Sequence, residues 1–405
     1  MTTTVRPRIT VVGLGADGWS GLPERLRAIV TDADVVLGGR RHLDLVPDVP
    51  GQVREAWPSP LREELPDLLT RYEGRITVAL ASGDPLVSGI GTTLVGLLGT
   101  DAVRVEPAVS SVALARARMG WSSEDVEVVS LVGRDPHLLL RALAPGRRLL
   151  VLSSDETTAG VVAELLASHG YDASRLTVLA DLGAPEESRV DGLARSWSAP
   201  VPRLNVVAVE LAGPVLGSWS PGLPDSAYEH DGQLTKRDVR ASALARLAPQ
   251  PGQTLWDVGA GAGSVGVEWM RAHPTCRTVA VESHPVRAAR IARNASALGV
   301  PGLQVVHGTA PDALAGLSTP HAVFVGGGAT RDGVLDACLD ALAPGGRLVV
   351  HGVTLETERL LVGRYAEHGG ELTRVAVETA EPIGSFTGWT PARAVTQWAW
   401  TKERS

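Results

Sequence analysis

The chain has 405 residues, 44% hydrophobic and 20% charged, which is enough apolar material for large cores and too long for a single one. A net charge of -7 excludes a bulk drive toward nucleic acid or an anionic membrane, and no stretch reaches the ~18 apolar residues of a membrane span. Cys276 and Cys338 are too few for a disulfide framework and read as reduced core thiols; with no secretory signal in the polar start Met1–Arg6, the expected address is the cytoplasm.

The first 212 residues alternate short β-branched strands with helical stretches, an α/β pattern with strands predicted at 9–12, 76–80, 126–131, 149–152, 176–180 and 205–211. The first strand runs into Val12-Gly13-Leu14-Gly15, where backbone N–H groups and a helix N-terminus can approach a polar cofactor. Glycines and prolines between Gly213 and Pro224 then break both periodicities. The expected organisation is a domain over 1–212, a linker over 213–230 and a second domain over 231–405.

Of 38 basic residues only Lys236 and Lys402 are lysine. Lys402 lies in a polar tail and reads as solvated. Lys236 follows Thr235, a candidate N-cap with Asp238 three residues on, so it is either a first-turn lysine or a substrate contact. Further strands are predicted at 253–258, 278–281, 304–306, 322–325 and 347–350. Residues 372–379 and 394–400 follow as two strands joined by a long loop over 381–393, which permits an antiparallel pair at the end of a parallel sheet.

The second glycine loop, Trp256-Asp257-Val258-Gly259-Ala260-Gly261-Ala262-Gly263, is ambiguous by itself. With Gly266 it also satisfies the dinucleotide fingerprint, and Glu282 stands where a ribose-binding acid would follow, so a nicotinamide oxidoreductase is a rival reading. Asp257, placed to meet an amino group, and the terminal strand pair favour S-adenosylmethionine. Glu282 would accept the ribose hydroxyls, or cap the helix after His284-Pro285. Gly308-Thr309-Ala310 would lie beside the adenine, or form a plain turn. Gly326-Gly327-Gly328 ends the fourth strand where substrate is expected, or forms a mobile loop. No Asn/Asp-Pro-Pro motif follows, which disfavours an amine or nucleobase substrate. No Cys/His nucleophile arrangement or metal-spaced cluster is present, so neither a catalytic nucleophile nor a metal is assigned.

Together these residues resemble the two-domain, decarboxylating precorrin methyltransferases of cobalamin biosynthesis. In the first half the resemblance rests on the Gly13-Leu14-Gly15 loop, Leu37-Gly38-Gly39-Arg40-Arg41-His42-Leu43, Ala81-Ser82-Gly83-Asp84-Pro85, Pro107-Ala108-Val109-Ser110-Ser111 and Asp181-Leu182-Gly183. These are similar to the two-lobed tetrapyrrole methylase fold. The second half resembles a class I, Rossmann-like methyltransferase through Leu234-Thr235-Lys236-Arg237, the Asp257 loop, Phe324 to Gly328 and Val353 to Thr357.

The resemblance implies S-adenosylmethionine at both sites, with Gly13, Gly15, Ser82, Gly83, Asp84, Ser110 and Ser111 contacting it in the first. It also implies methylation at carbon 5 there, and methylation at carbon 15 with decarboxylation of the carbon 12 acetate in the second. Two departures stand out: Ala16 replaces a proline of the first loop, and His351-Gly352 stands where an asparagine-alanine pair is expected. A polycarboxylate macrocycle calls for guanidinium donors, for which Arg40-Arg41-His42, Arg134, Arg147-Arg148 and Arg331 are candidates. Trp389 would stack on the macrocycle or sit in the core. Relatives of both halves oligomerise, so a homo-oligomer is expected. A non-catalytic tetrapyrrole-binding first half is the remaining alternative.

Overall fold

The computed structural model describes residues 8–215 and 218–404 and divides into two compact units, one of residues 1–136 and 144–214, the other of 137–143 and 215–405. The Met1–Arg6 start and Leu216-Gly217 of the expected linker lie outside the described residues.

The first unit has two sheets. One is fully parallel, with β1 (Ile9–Leu14), β2 (Val35–Gly38), β3 (Val53–Ala56), β4 (Thr77–Ser82) and β5 (Val103–Glu106) in the order β3-β2-β4-β1-β5. The other takes β6 (Val126–Ser130), β7 (Arg148–Leu152), β8 (Arg175–Ala180), β9 (Ser188–Leu193) and β10 (Asn205–Glu210) in the order β6-β7-β10-β8-β9, with only β6 and β7 parallel. The six predicted strands are present. Four others lacked a usable signal: β3 and β9 are half-exposed edges, β5 alternates valine with charge, and β2, though buried, is four residues long.

The second unit is built on β11 (Thr254–Val258), β12 (Arg277–Glu282), β13 (Gln304–His307), β14 (Ala322–Val325), β15 (Arg347–Gly352), β16 (Glu371–Val375) and, after a hairpin, β19 (Val395–Thr401). Their order is β13-β12-β11-β14-β15-β19-β16, parallel through β15, with β19 antiparallel to both neighbours. The chain leaves β11 toward β12 on one side and returns to β14 on the other, which opens a crevice at the carboxyl ends of β11 and β14. Trp256, Val258, Val323, Val325, Leu348 and Val350 are buried in one face of this sheet, and Leu255, Ala280, Phe324 and Val349 in the other.

Three expectations are corrected. Residues 372–379 are not one strand and 381–393 are not a loop. The pairing with β19 stops at Val375, and β17 (Glu378–Ile383) with β18 (Phe386–Pro391) forms a separate hairpin. Its two-residue turn, Gly384-Ser385, begins with Gly384 at φ +61°, a signal that was legible in the sequence. Lys402 is not simply solvated, because Nζ donates to Leu339 O and Asp340 O, both at 3.0 Å, at a helix C-terminus. The helix Arg237–Leu247 is entered at Lys236 without a side-chain cap, in place of the expected Thr235 cap. The Thr235 carbonyl instead accepts from Arg240 Nη1.

That arginine belongs to a buried charge network. Glu268 accepts from Arg240 Nε at 2.6 Å, Tyr228 Oη at 3.0 Å, Gly222 N at 2.6 Å and Leu223 N at 3.0 Å. Arg240 is wholly buried and also meets Asp225 at 3.4 Å. The second half of the expected linker is thereby packed into the second unit, with Leu223 and Tyr228 in its core. Removing one member of such a pair leaves a buried charge unpaired and donors unmet. Glu268→Ala is therefore expected to lose about 3–5 kcal/mol of stability in denaturant unfolding of the full chain; a loss under about 1 kcal/mol would contradict this role.

Candidate active sites

In the first unit the loops after β1, β4 and β5 meet at one end of the parallel sheet. Gly83 N donates to Leu14 O at 2.7 Å and Ala108 N to Gly83 O at 3.1 Å. A Cβ on Gly13 would stand 2.0 Å from Gly83 O, so Gly13 serves this approach and does not reach the adjoining cavity. That cavity, about 330 Å³, is walled by Gly15, Ser82, Gly83, Asp84, Ser110 and Ser111 from the first sheet and by Ser153 and Asn205 from the second.

Several of these groups are already engaged. Ser110 Oγ accepts from Ala113 N at 3.1 Å as a helix cap, and Asp84 Oδ1 accepts from Leu86 N at 2.9 Å within its turn. Ser153 Oγ donates to Asn205 Oδ1 at 2.6 Å. Ser82 Oγ lies 2.8 Å from His42 Nε2, while His42 Nδ1 is enclosed without a partner. Burial, with the neighbouring Arg41 charge, pushes the His42 imidazole down to about 4, so it is neutral near pH 7. Arg41 also walls the cavity; Arg40 and Arg134 do not. Arg147 pairs with Glu127 at 2.6 Å, and Arg148 lies over Trp121 at 5.4 Å.

The second unit holds a larger cavity, about 800 Å³, at the switch point of its sheet. Gly259, Gly261 and Glu282 line it, with Gly308, Thr309 and Ala310 from the turn after β13. Gly326, Gly327, Gly328 and Arg331, which follow β14, also line it, as does Lys236. Gly259 has φ +66°, and a Cβ there would lie 2.7 Å from Gly327 O. Glu282 Oε2 accepts from Gly261 N and Oε1 from His284 N, each at 2.9 Å, while the Pro285–Ala297 helix starts at His284 without the alternative side-chain cap. Each oxygen keeps a second lone pair, and the residue lies on the wall.

Two glycine-loop residues and one aromatic lie off this wall. Gly263, at φ +76°, starts the Ser264–Ala272 helix, where a Cβ would meet Ile291 Cγ2 at 2.7 Å. Trp389 is on the hairpin and 70% exposed, which excludes a core position. Asp257 is buried behind the loop: Oδ2 accepts from Gly266 N at 2.9 Å and Oδ1 is enclosed without a partner.

Arg237, His351 and Arg393 join the wall although none was a candidate site residue. Arg237 stood only in the Leu234–Arg237 motif and His351 only as a departure from an asparagine-alanine pair, while Arg393 was one of 36 arginines. Lys236 lies 3.5 Å from Asp225 Oδ2, whereas Arg237, Arg331 and Arg393 have no ion pair among the described residues.

The two units match two separate family models: tetrapyrrole (corrin/porphyrin) methylases over residues 8–196, and a precorrin methyltransferase domain over residues 226–402. The chain is thus a fusion of two methyltransferase domains. It is 46% identical over 402 residues to a precorrin-6Y C(5,15)-methyltransferase [decarboxylating] of Sinorhizobium sp, covering 98% of this chain and 97% of the relative. It is likewise 46% identical over 398 residues to the protein of that name from Mycobacterium tuberculosis, covering 97% of this chain and 100% of the relative. The crystal structure of the C-terminal domain of precorrin-6Y C5,15-methyltransferase from Rhodobacter capsulatus is 45% identical, covering 46% of this chain and 100% of that one, with a TM-score of 0.44. The chain belongs to the precorrin-6Y C(5,15)-methyltransferase (decarboxylating) family.

Asp257 gives the second unit a pH dependence. Burial, with the Glu282 charge adding to it and the Gly266 bond opposing, raises the carboxyl to about 7. The folded state therefore holds a proton that the unfolded chain has released above about pH 4, and stability falls as pH rises through that interval. Thermal unfolding should show the wild type losing stability relative to Asp257→Asn from about pH 4 to 7 and no further above it. An asparagine can still accept from Gly266 while carrying no charge. Parallel curves for the two proteins would contradict the raised value.

Proposed function

We propose that the chain is a bifunctional S-adenosylmethionine-dependent C-methyltransferase of cobalamin biosynthesis acting in the cytoplasm. Residues 1–212 methylate carbon 5 of a precorrin, and residues 231–405 methylate carbon 15 and decarboxylate the carbon 12 acetate. The observation that carries this reading is full-length similarity to relatives of that name, combined with a separate cavity in each unit at the carboxyl ends of parallel strands.

The residues present fit the cofactor. In the second unit, glycine backbone leaves room at Gly259 and Gly261, and Glu282 is held by two backbone N–H groups with acceptor capacity to spare for ribose hydroxyls. Gly308 to Ala310 would border the adenine. In the first, Gly15, Ser82 to Asp84, Ser110 and Ser111 would hold it. Asp257 would act at one remove by fixing the Gly266 end of the loop. When bound, S-adenosylmethionine supplies a methyl group on a sulfonium that is its own leaving group.

The chain contributes position more than acid–base chemistry. A pyrrole-conjugated meso carbon is itself the nucleophile. Arg237, Arg331 and Arg393, which have no ion pair among the described residues, would present guanidinium forks to the macrocycle's carboxylates, with Lys236 on the same cavity wall. After methylation at carbon 15 the conjugated ring is electron-poor. The bond between the acetate methylene and its carboxyl carbon then breaks, its electron pair enters the ring, and carbon dioxide leaves.

Calorimetry of the full chain with S-adenosylhomocysteine is expected to find two sites, and Glu282→Ala to abolish or weaken one of them by about tenfold or more while sparing the other. The product of precorrin-6Y should gain two methyl groups and lose one carbon dioxide by mass spectrometry. A single methyl gain with carbon dioxide retained, or NADH binding without S-adenosylhomocysteine binding, would overturn the proposal.

A further inference from the structure

One wall residue of the second cavity has no task in the scheme above. His351 lies near the end of β15, its ring edge-on to Phe324 with centroids 4.8 Å apart, and it is paired in register with Gln397 of β19. Gln397 is wholly buried, with Arg246 of the Arg237–Leu247 helix on its other side. A guanidinium has no acceptor, so the network assigns the Gln397 carbonyl to Arg246. In that orientation the oxygen accepts from Nε at 3.0 Å and Nη1 at 3.2 Å, and the amide nitrogen donates to His351 Nε2 at 2.9 Å.

The tautomer follows. An imidazole nitrogen that accepts has no hydrogen, so the neutral ring carries its hydrogen on Nδ1. Nδ1 has no protein partner among the described residues and is not among the enclosed unpartnered atoms, which leaves it open to the cavity that the residue lines. We infer that His351 is a tautomer-locked Nδ1–H donor that holds a carboxylate oxygen of the substrate and takes no part in proton transfer.

The inference rests on the precorrin reading of this cavity. As a base the ring would need a free lone pair, and Nε2 is committed to Gln397. As an acid it would need to give up its only hydrogen to become an imidazolate. Burial, with the Arg246 charge, also pushes the ring down to about 4, so the neutral form prevails at physiological pH.

Two arms test this on the full chain. Nitrogen-15 spectra of histidine-labelled protein without ligand should contain one ring, missing from His351→Asn, that is hydrogen-bearing at Nδ1 and bare at Nε2 from about pH 6 to 8. An Nε2-protonated ring or an imidazolium there overturns the assignment. Asparagine can place its amide nitrogen near the Nδ1 position, whereas phenylalanine keeps only the shape. His351→Asn should hold the KM for precorrin-6Y within about threefold, and His351→Phe should raise it about tenfold or more, with S-adenosylhomocysteine binding unchanged in both. Equal loss in both variants with that binding intact overturns the donor role. A wild type that methylates no precorrin overturns the functional reading and this substrate arm with it, while the spectra still judge the tautomer.

Discussion

Both sites depend on backbone approaching backbone closely enough to exclude a side chain. In the first unit Gly83 N reaches Leu14 O, and no Cβ fits at Gly13 beneath Gly83 O. In the second, Gly259 N donates to Val281 O and Gly326 N to Val258 O, each at 2.9 Å, while Gly259 approaches Gly327 too closely to carry a Cβ. Each contact ties the carboxyl end of one parallel strand to its neighbour. The result is a concave rim of amides and small atoms, which a polar cofactor can approach without displacing side chains. The two units reach this by different sheet topologies, so the shared feature is a physical solution and not a repeated fold.

The side of the second cavity formed by Asp225 and Gly232 to Val239 depends on another constraint. Residues 222–240 have little regular structure before their helix, yet Asp225 and Gly232 to Val239 form one wall. Glu268 gathers four donors from this segment, and Arg240 extends the network to the carbonyls of Leu223 and Thr235. A charged pair costs desolvation that packed hydrocarbon would not. Here it satisfies irregular backbone inside a core, which hydrocarbon cannot do. Lys236 and Arg237 are positioned by it without belonging to it.

These two constraints explain what the sequence made legible. Glycines that admit close approach leave a local mark, so both glycine loops and the family resemblance could be read directly, as could the positions of the β11 to β15 strands along the chain. The Glu268 network left none, because its members are separated by up to 46 residues and its backbone donors, Gly222 and Leu223, sit in a stretch that reads as a linker. Edge strands such as β3 and β9 are half-exposed and carry no hydrophobic run. The hairpin of β17 and β18 leaves a local mark in Gly384-Ser385, but its strands are exposed and carry Pro382 and Pro391, which weakens the strand pattern. Among the site residues, Gly13, Gly263 and Asp257 carry motif signals and lie off the cavity walls, since a motif marks the whole loop and not its exposed atoms.

On the proposed reading, two reactions share the second cavity. Arg237, Arg331 and Arg393 would then stabilise an ionised carboxylate strongly, which would help hold a macrocycle bearing several acidic side chains. The same stabilisation would oppose loss of carbon dioxide from the acetate, because the negative charge must leave the carboxylate for the ring as the bond breaks. A neutral donor orients that carboxylate while stabilising its charge less. His351, locked by Gln397 and kept uncharged by its surroundings, has the required character, and Arg246 supplies the lock from behind without facing the substrate. On the proposed reading, binding and decarboxylation make opposite demands on the same functional group, and a cavity lined by both cations and a neutral imidazole could meet both.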